Sequence, residues 1–142
     1  MKEVVTYLNF EGNTRDAMTF YAHALGAELE LISFADHMGA NLPKEMEASK
    51  DGIMHARLSK ASKTLLMASD AMPSMPLQSA TNFSISVHCE SAEEIEKFFA
   101  ALSAGASIRM PLQDASWGAR FGMLTDRFGI QWMFNYEHPK KS

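Results

Sequence analysis

Two side chains that can bind an anion or a carbonyl group stand two residues apart in a strand-like segment. His55 and Arg57 fall within the run Ile53–Leu58, and alternate residues of a strand lie on the same face of a sheet. An imidazole can donate or accept a hydrogen bond, and a guanidinium can hold an oxyanion through two parallel ones. The spacing therefore predicts a ligand-binding pair. A histidine held by hydrogen bonds within the sheet is the alternative.

A second candidate group combines an indole with a guanidinium. Trp117 and Arg120 lie in or beside a loop of the C-terminal half. The indole could stack on a planar ligand and the guanidinium could clamp an anion. The alternatives are that Trp117 anchors the loop on the core and that Arg120 forms a salt bridge to Asp126 or Asp114.

Methionines supply a third candidate surface. Met67 and Met133 fall on predicted strands, at positions that alternate with the core residues. Because a thioether side chain is flexible and polarizable, the two could line an adaptable apolar pocket, and plain packing is the alternative. Met110 and Met123 are expected in the core.

The histidines do not form a metal-binding pattern in the sequence. No pair has the H-x-x-x-H or H-x-x-E spacing that places two ligands on one side of a helix. A cluster of His55 and His88 formed by folding stays open as an alternative. Cys89 has no recognisable base, and neither a glycine-rich turn after a strand nor a G-x-S-x-G elbow is present.

Each half of the chain predicts a strand, a helix and three further strands that would position these side chains. In the first half, Asn13 is a predicted N-cap and Gly26 is predicted to end the helix. In the second half, Ser91–Glu94 is a predicted capping box and Gly105 is predicted to end the helix. The predicted strands are Val4–Phe10, Glu28–Phe34, Gly52–Leu58 and Lys63–Ser69, then Asn82–His88, Ser107–Met110, Arg120–Thr125 and Ile130–Tyr136.

The spacing between corresponding caps, stops and strand starts is nearly constant, which indicates a duplicated β-α-β-β-β unit. We predict an α+β fold in which two mixed sheets curl around a shared cleft, within a single domain over residues 1–142. The units would span 1–71 and 77–138. The linker 72–76 contains two prolines, which disfavour both a helix and a central strand.

Composition excludes several classes of protein. The chain has 142 residues, of which 46% are hydrophobic and 21% charged, as in a globular domain. Its formal net charge of −4 argues against nucleic-acid binding, and no apolar run approaches the ~18–20 residues that span a bilayer. A single cysteine fits a reducing compartment. We therefore predict a cytoplasmic protein that binds neither nucleic acid nor membranes.

The doubled unit resembles the vicinal oxygen chelate superfamily of glyoxalases, bleomycin-resistance proteins and extradiol dioxygenases. Several stretches are similar to its PhnB-like branch, also called 3-demethylubiquinone-9 3-methyltransferase-like. The resemblance covers essentially the whole chain and implies a glyoxalase-like fold and a homodimer. The stretches that carry it are Arg15–Tyr21, Ile53–Leu58, Leu66–Asp70, Met110–Gln113, Trp117–Gly129 and Trp132–Asn135.

In metal-dependent members of that superfamily, the first and fourth strands of each unit supply four ligands, typically His, Gln or Glu. The resemblance places these positions at Thr6, near Met67, at Asn82 and at Met133. None of these residues is a strong ligand for a hard or borderline divalent metal. We therefore predict no metal and no other cofactor.

These observations together predict a metal-free protein that binds a small, partly apolar ligand; whether it also catalyses a reaction stays open. One alternative is a metal-dependent lyase, isomerase or dioxygenase of the glyoxalase superfamily with an atypical metal site. Another is an interaction protein that acts through its dimer surface. The predicted site residues are His55, Arg57, Met67, Trp117, Arg120 and Met133.

Overall fold

The computed structural model describes residues 1–72, 77–78 and 80–139, and the chain divides into two compact units, Met1–Gln78 and Ser79–Ser142. Each unit contains a four-stranded mixed sheet and one helix of more than ten residues. The predicted α+β class and the two sheet-and-helix units are confirmed. Of the predicted linker, residues 73–76 lie outside the described residues, and the single domain stays a prediction. No helix in the described ranges is long and apolar enough to cross a bilayer.

The first unit runs strand, helix, strand, short helix and hairpin. Its elements are β1 Thr6–Phe10, α1 Thr14–Leu25, β2 Glu28–Ser33, α2 Phe34–Met38, β3 Ile53–Lys60 and β4 Lys63–Asp70. The sheet order is β1-β4-β3-β2, with β1 parallel to β4 and the other neighbours antiparallel. Ala61 and Ser62 both take positive φ angles in the turn between β3 and β4, which gives the backbone twist that a tight hairpin requires.

One face of this sheet is buried beneath α1. On β1, Leu8 and Phe10 are buried and alternate with exposed residues, as expected for a strand with one covered face. Burying each such side chain stabilises the fold by about 1.5–3 kcal/mol. The other buried strand residues on this face are Ala56, Leu58, Leu66 and Ala68, and α1 covers them with Ala17, Met18, Tyr21, Ala24 and Leu25.

Helix α1 begins without the side-chain cap that the sequence suggested. Asn13 occupies the N-cap position but makes no capping hydrogen bond with its side chain. Instead, the buried carboxylate of Asp70 accepts hydrogen bonds from the backbone N–H groups of Thr14 at 3.0 Å and of Ile53 at 2.8 Å. Asp70 therefore joins the end of β4 to the start of α1 and the start of β3.

The second unit repeats the order of the first without the short helix. Its elements are β5 Ile85–His88, α3 Ala92–Leu102, β6 Ser107–Asp114, β7 Ala119–Thr125 and β8 Gln131–Glu137. The sheet order is β5-β8-β7-β6, with β5 parallel to β8. Its core packs the strand residues Leu124, Trp132 and Phe134 with the helix residues Ile95, Phe98 and Leu102.

The predicted capping box of α3 is confirmed. Ser91 Oγ accepts a hydrogen bond from the backbone N–H of Glu94 at 3.0 Å. Glu94 Oε1 in turn accepts from the backbone N–H of Glu90 at 3.1 Å, one residue before the N-cap. A local sequence signal therefore placed the start of this helix correctly.

Three differences between the predicted and the observed elements are larger than two residues. Residues 35–51, expected as a loop, contain most of α2 and two 3₁₀ helices, Gly39–Asn41 and Lys44–Ser49. The strand expected from Asn82 begins only at Ile85. Strand β6 continues past its expected end and includes Pro111, with register shifts on both sides of Met110. A proline is tolerated there because β6 is an outer strand of its sheet.

Candidate functional site

A row of four side chains crosses the face of the first sheet that α1 does not cover. Tyr7 lies opposite Met67, Met67 opposite Arg57, and Arg57 opposite Glu30 in the strand register. Residues directly opposite each other share a face, with Cβ atoms ~4.5–5.5 Å apart. His55, two residues before Arg57, lies on the same side. We call Tyr7, Glu30, His55, Arg57 and Met67 the open-face cluster.

Tyr7 and His55 contact each other within the open-face cluster. Tyr7 Oη lies 3.2 Å from His55 Nδ1 and the ring centroids are 5.9 Å apart. This hydrogen bond orients the imidazole, and within the described ranges Nε2 has no hydrogen-bond partner. Tyr7 is not among the predicted site residues, although its place beside the core residue Leu8 could have assigned it to this face.

Arg57 is half-buried and keeps most of its hydrogen-bonding capacity. Its Nε donates to Thr64 Oγ1 at 2.8 Å, which fixes the direction of the guanidinium. Across the described part of the chain, no carboxylate forms an ion pair with Arg57. Because a guanidinium has five N–H donors, the remaining ones can receive an oxyanion.

The corresponding face of the second sheet carries a row of methionines. Ser86 lies opposite Met133, Met133 opposite Met123, and Met123 opposite Met110. All three methionines are half-buried. The expectation that Met110 and Met123 belong to the core is therefore wrong, because they share the face of Met133. We call these three residues the methionine row.

Trp117 lies in the turn between β6 and β7 and is 65% exposed. Its ring meets that of Phe121 edge-on, with centroids 5.7 Å apart. Phe121 lies two residues before Met123 on β7 and therefore shares the face of the methionine row. The structure thus brings Trp117 beside this face through Phe121.

Arg120 is directed to the other side of the second sheet. Its Nε donates to Glu96 Oε1 of α3 at 2.7 Å, and its Nη1 lies 3.6 Å from Asp114 Oδ1. The ion pair to Asp114 is one of the alternatives that the sequence left open. The structure therefore does not bring Arg120 together with Met133.

Two titratable groups have perturbed pKa values in the second unit. A hydrogen bond from His138, 3.0 Å away, lowers the pKa of Asp114; slight desolvation opposes this effect, and the charges of His138 and Arg120 add to it. Burial, with a smaller contribution from the charge of Glu94, raises the pKa of Cys89 to about 11. Cys89 is therefore a protonated thiol at neutral pH and a poor nucleophile.

Comparison with known proteins assigns the family. The profile of the family described as 3-demethylubiquinone-9 3-methyltransferase matches residues 2–134. The chain belongs to this PhnB-like family. It is 36% identical over 136 residues to Protein YjdN of Escherichia coli K12, with 91% of each chain covered.

Solved structures agree with this PhnB-like assignment. Protein PA1353 from Pseudomonas aeruginosa is 43% identical, with a TM-score of 0.84 and coverage of 98% of this chain and 100% of that one. A putative 3-demethylubiquinone-9 3-methyltransferase, PhnB protein, from Bacillus cereus is 28% identical, with a TM-score of 0.74 and coverage of 95% and 99%. A glyoxalase/bleomycin resistance protein/dioxygenase family enzyme from Burkholderia phytofirmans, 13% identical, shares the fold with a TM-score of 0.62 and coverage of 94% and 98%. The predicted glyoxalase-like fold and the resemblance to the PhnB-like branch are confirmed.

Within the first unit, Thr6 and Met67, two of the positions that the superfamily resemblance implied for a metal, lie on opposite faces of the sheet. Thr6 lies opposite Leu66, a core residue beneath α1, so that Tyr7 and not Thr6 shares a face with Met67. Asn82 precedes β5. Over residues 1–72, 77–78 and 80–139, no group of three or more His, Cys, Asp or Glu side chains could hold a metal ion. The thioethers of Met67 and Met133 do not fit a hard or borderline divalent metal.

Proposed function

We propose that this PhnB-like protein binds a small organic anion with an apolar or aromatic body, without a divalent metal. The open-face cluster carries the proposal, because a guanidinium that forms no ion pair within the described residues, an oriented imidazole and a thioether lie side by side on one sheet face. The superfamily resemblance implies that this face, which α1 does not cover, is the one that lines the ligand cavity.

Four of the five cluster members have a role in the proposal. Arg57 holds the anionic group through its terminal N–H donors, since its Nε is already bonded to Thr64. His55 offers Nε2 as a second contact, and its hydrogen bond to Tyr7 keeps the ring in place. Met67 contacts the apolar body. Ile32 lies opposite His55, is 40% exposed and contacts the apolar body as well.

In the second unit, Met133 and Trp117 belong to a separate candidate surface for an apolar or planar group. The methionine row gives an apolar surface that adapts to ligand shape, and Trp117 with Phe121 can stack on a planar group. Arg120 joins these contacts only if a ligand displaces it from Glu96, because its Nε is already hydrogen-bonded there.

Binding of benzoate, a planar organic anion, tests the proposal. We expect it to shift the backbone NMR signals of Tyr7, His55 and Met67 in a titration of the full chain. Replacing Arg57→Gln should weaken binding at least ~10-fold, since a hydrogen bond to a charged group contributes about 1.5–3 kcal/mol. The matched control Arg15→Gln removes the same charge from an exposed position on α1 and should leave binding unchanged.

Two results would contradict the proposal. One is a benzoate titration in which the Arg57 and Arg15 variants behave alike, which would assign the effect to net charge alone. The other is a stoichiometric divalent metal, found by elemental analysis of protein purified without chelator, that is lost on substitution at Met67 or Met133. That second result would favour the enzyme alternative.

A further inference from the structure

A cavity of about 550 Å³ lies in the first unit and contains no member of the open-face cluster. It is formed where β1 leads into α1, where the chain enters β3, and where it leaves β4. Its volume lies within the ~300–1,000 Å³ range of pockets that hold small molecules. The residues that decide its chemistry are Glu11, Phe34, Met46, Asp51, Asp70 and Met72.

The charge of this cavity has one sign. Glu11, Asp51 and Asp70 line it, and no lysine, arginine or histidine among the described residues does. Glu11 and Asp51 are exposed, whereas Asp70 is only 7% exposed. A cation that enters the cavity therefore meets three carboxylates without displacing a basic side chain.

Asp70 is the member of this group that most requires a countercharge. Its two oxygens accept hydrogen bonds from the N–H groups of Thr14 and Ile53, and a carboxylate retains further lone pairs. No ion pair to Asp70 occurs within residues 1–72, 77–78 and 80–139. Because a buried charge is costly unless it is paired, a cation beside Asp70 would be bound favourably.

The remaining walls are apolar. Phe34 and Met46 are buried, and Met72 contributes a second thioether. An aromatic face attracts ammonium groups, and thioether side chains adapt to the shape of alkyl or aryl groups. A ligand that fits both the carboxylates and the apolar side chains of the cavity carries a positive charge on an apolar body.

We propose that this cavity binds a small organic ammonium ion, with the charged group next to Asp70 and the apolar body against Phe34 and Met46. The site is separate from the open-face cluster and selects the opposite charge. Failure of either proposal therefore leaves the other standing.

Titrating the full chain with benzylamine at neutral pH tests the proposal. We expect shifts in the NMR signals of Gly12, Gly52 and Ala71, which line the cavity, and at least ten-fold weaker binding of the uncharged benzyl alcohol. Added salt should weaken benzylamine binding, since Glu11 and Asp51 are exposed to screening. Benzoate should leave these three signals unchanged.

A pair of isosteric variants separates cavity binding from bulk charge. The double variant Glu11→Gln/Asp51→Asn removes two exposed carboxylates from the cavity rim and should weaken benzylamine binding at least five-fold. The control Glu93→Gln/Glu137→Gln removes the same charge from exposed positions of the second unit and should bind as the unmodified protein does. The proposal is overturned if both double variants bind alike, if the cavity signals do not move, or if benzyl alcohol binds as tightly as benzylamine.

Discussion

Asp126 shows how a single buried carboxylate organises a turn. Its Oδ1 accepts from the backbone N–H groups of Phe128 at 2.8 Å and Ile130 at 3.0 Å. Its Oδ2 accepts from Nε1 of the core residue Trp132 at 2.8 Å. Asp126 therefore holds both the turn between β7 and β8 and Trp132, the largest buried side chain of the second unit.

Replacing Asp126→Asn should lower the free energy of unfolding by roughly 2–4 kcal/mol, because the amide NH₂ would face a donor and leave it unsatisfied. Urea denaturation followed by circular dichroism measures the change. The exposed Asp114→Asn serves as the control, for which we expect a much smaller change in the free energy of unfolding. Equal losses in the two variants would contradict this role of Asp126.

The pKa of Asp114 should depend on His138. Removing the hydrogen bond in His138→Ala should raise the Asp114 pKa toward its ordinary value, as followed by the carboxyl ¹³C signal during an acid titration. The pKa of Asp114 is lower in the folded state than in the unfolded state. Any stability that its ionised form contributes is therefore present above the unfolded-state pKa and is lost as the pH falls through the folded-state pKa. His23→Ala, in the first unit, should leave the Asp114 titration unchanged.

At the scale of elements, helix α3 approaches its sheet closely at Gly122. A Cβ atom on this residue would lie 2.9 Å from Leu112 Cδ2 and 2.9 Å from Phe99 Cε2, and 3.3 Å from the Leu112 backbone. Both side chains would have to move, and the nearby backbone limits that movement. The absence of a side chain on β7 therefore sets how closely α3 packs.

We expect Gly122→Ala to destabilise the fold by about 1–3 kcal/mol, the usual effect of overpacking. Gly12→Ala is an informative comparison, because Gly12 has a φ of +85° and nothing within 4 Å of an added Cβ. Gly12→Ala therefore measures the cost of backbone strain without steric crowding. If Gly122→Ala unfolds at the same urea concentration as the unmodified protein, the close approach is not what fixes this helix.

Elements with local signals were predictable from the sequence. The capping box at Ser91 gave the start of α3, and Gly26, left-handed with a φ of 62°, ended α1 as expected. The extension of β6 through Pro111 was not predictable. Proline usually marks a loop, and only the position of β6 as an outer strand makes it acceptable in the sheet.

The candidate site was predictable only in part. Alternation along Ile53–Leu58 correctly placed His55 and Arg57 on one face. The contact of Tyr7 with His55 joins residues 48 apart in the chain, and that of Asp70 with Thr14 joins residues 56 apart. Likewise, Arg120 reaches Glu96 only after α3 packs on the sheet. Such pairings depend on tertiary structure, so the sequence gives no local signal for them.

At the scale of the whole molecule, the homodimer implied by the superfamily resemblance remains a prediction. Large apolar side chains that are exposed in the single chain are typical of association surfaces, and Phe83, Ile108 and Trp117 are examples in the second unit. Light scattering after size-exclusion chromatography should give about twice the chain mass of 15.8 kDa. A mass of 15.8 kDa throughout a dilution series would show that the protein is a monomer.

Two of the four outer strands in the described sheets, β2 and β6, each have one hydrogen-bonded neighbour and so carry backbone groups that could recruit strands from other molecules. On β2, Glu28 and Glu30 place negative charge along that edge. On β6, Pro111 removes an N–H donor, and the shifts around Met110 distort the strand. These features oppose edge-to-edge aggregation and fibril growth, which would allow a chain with two open sheets to remain dispersed at high concentration.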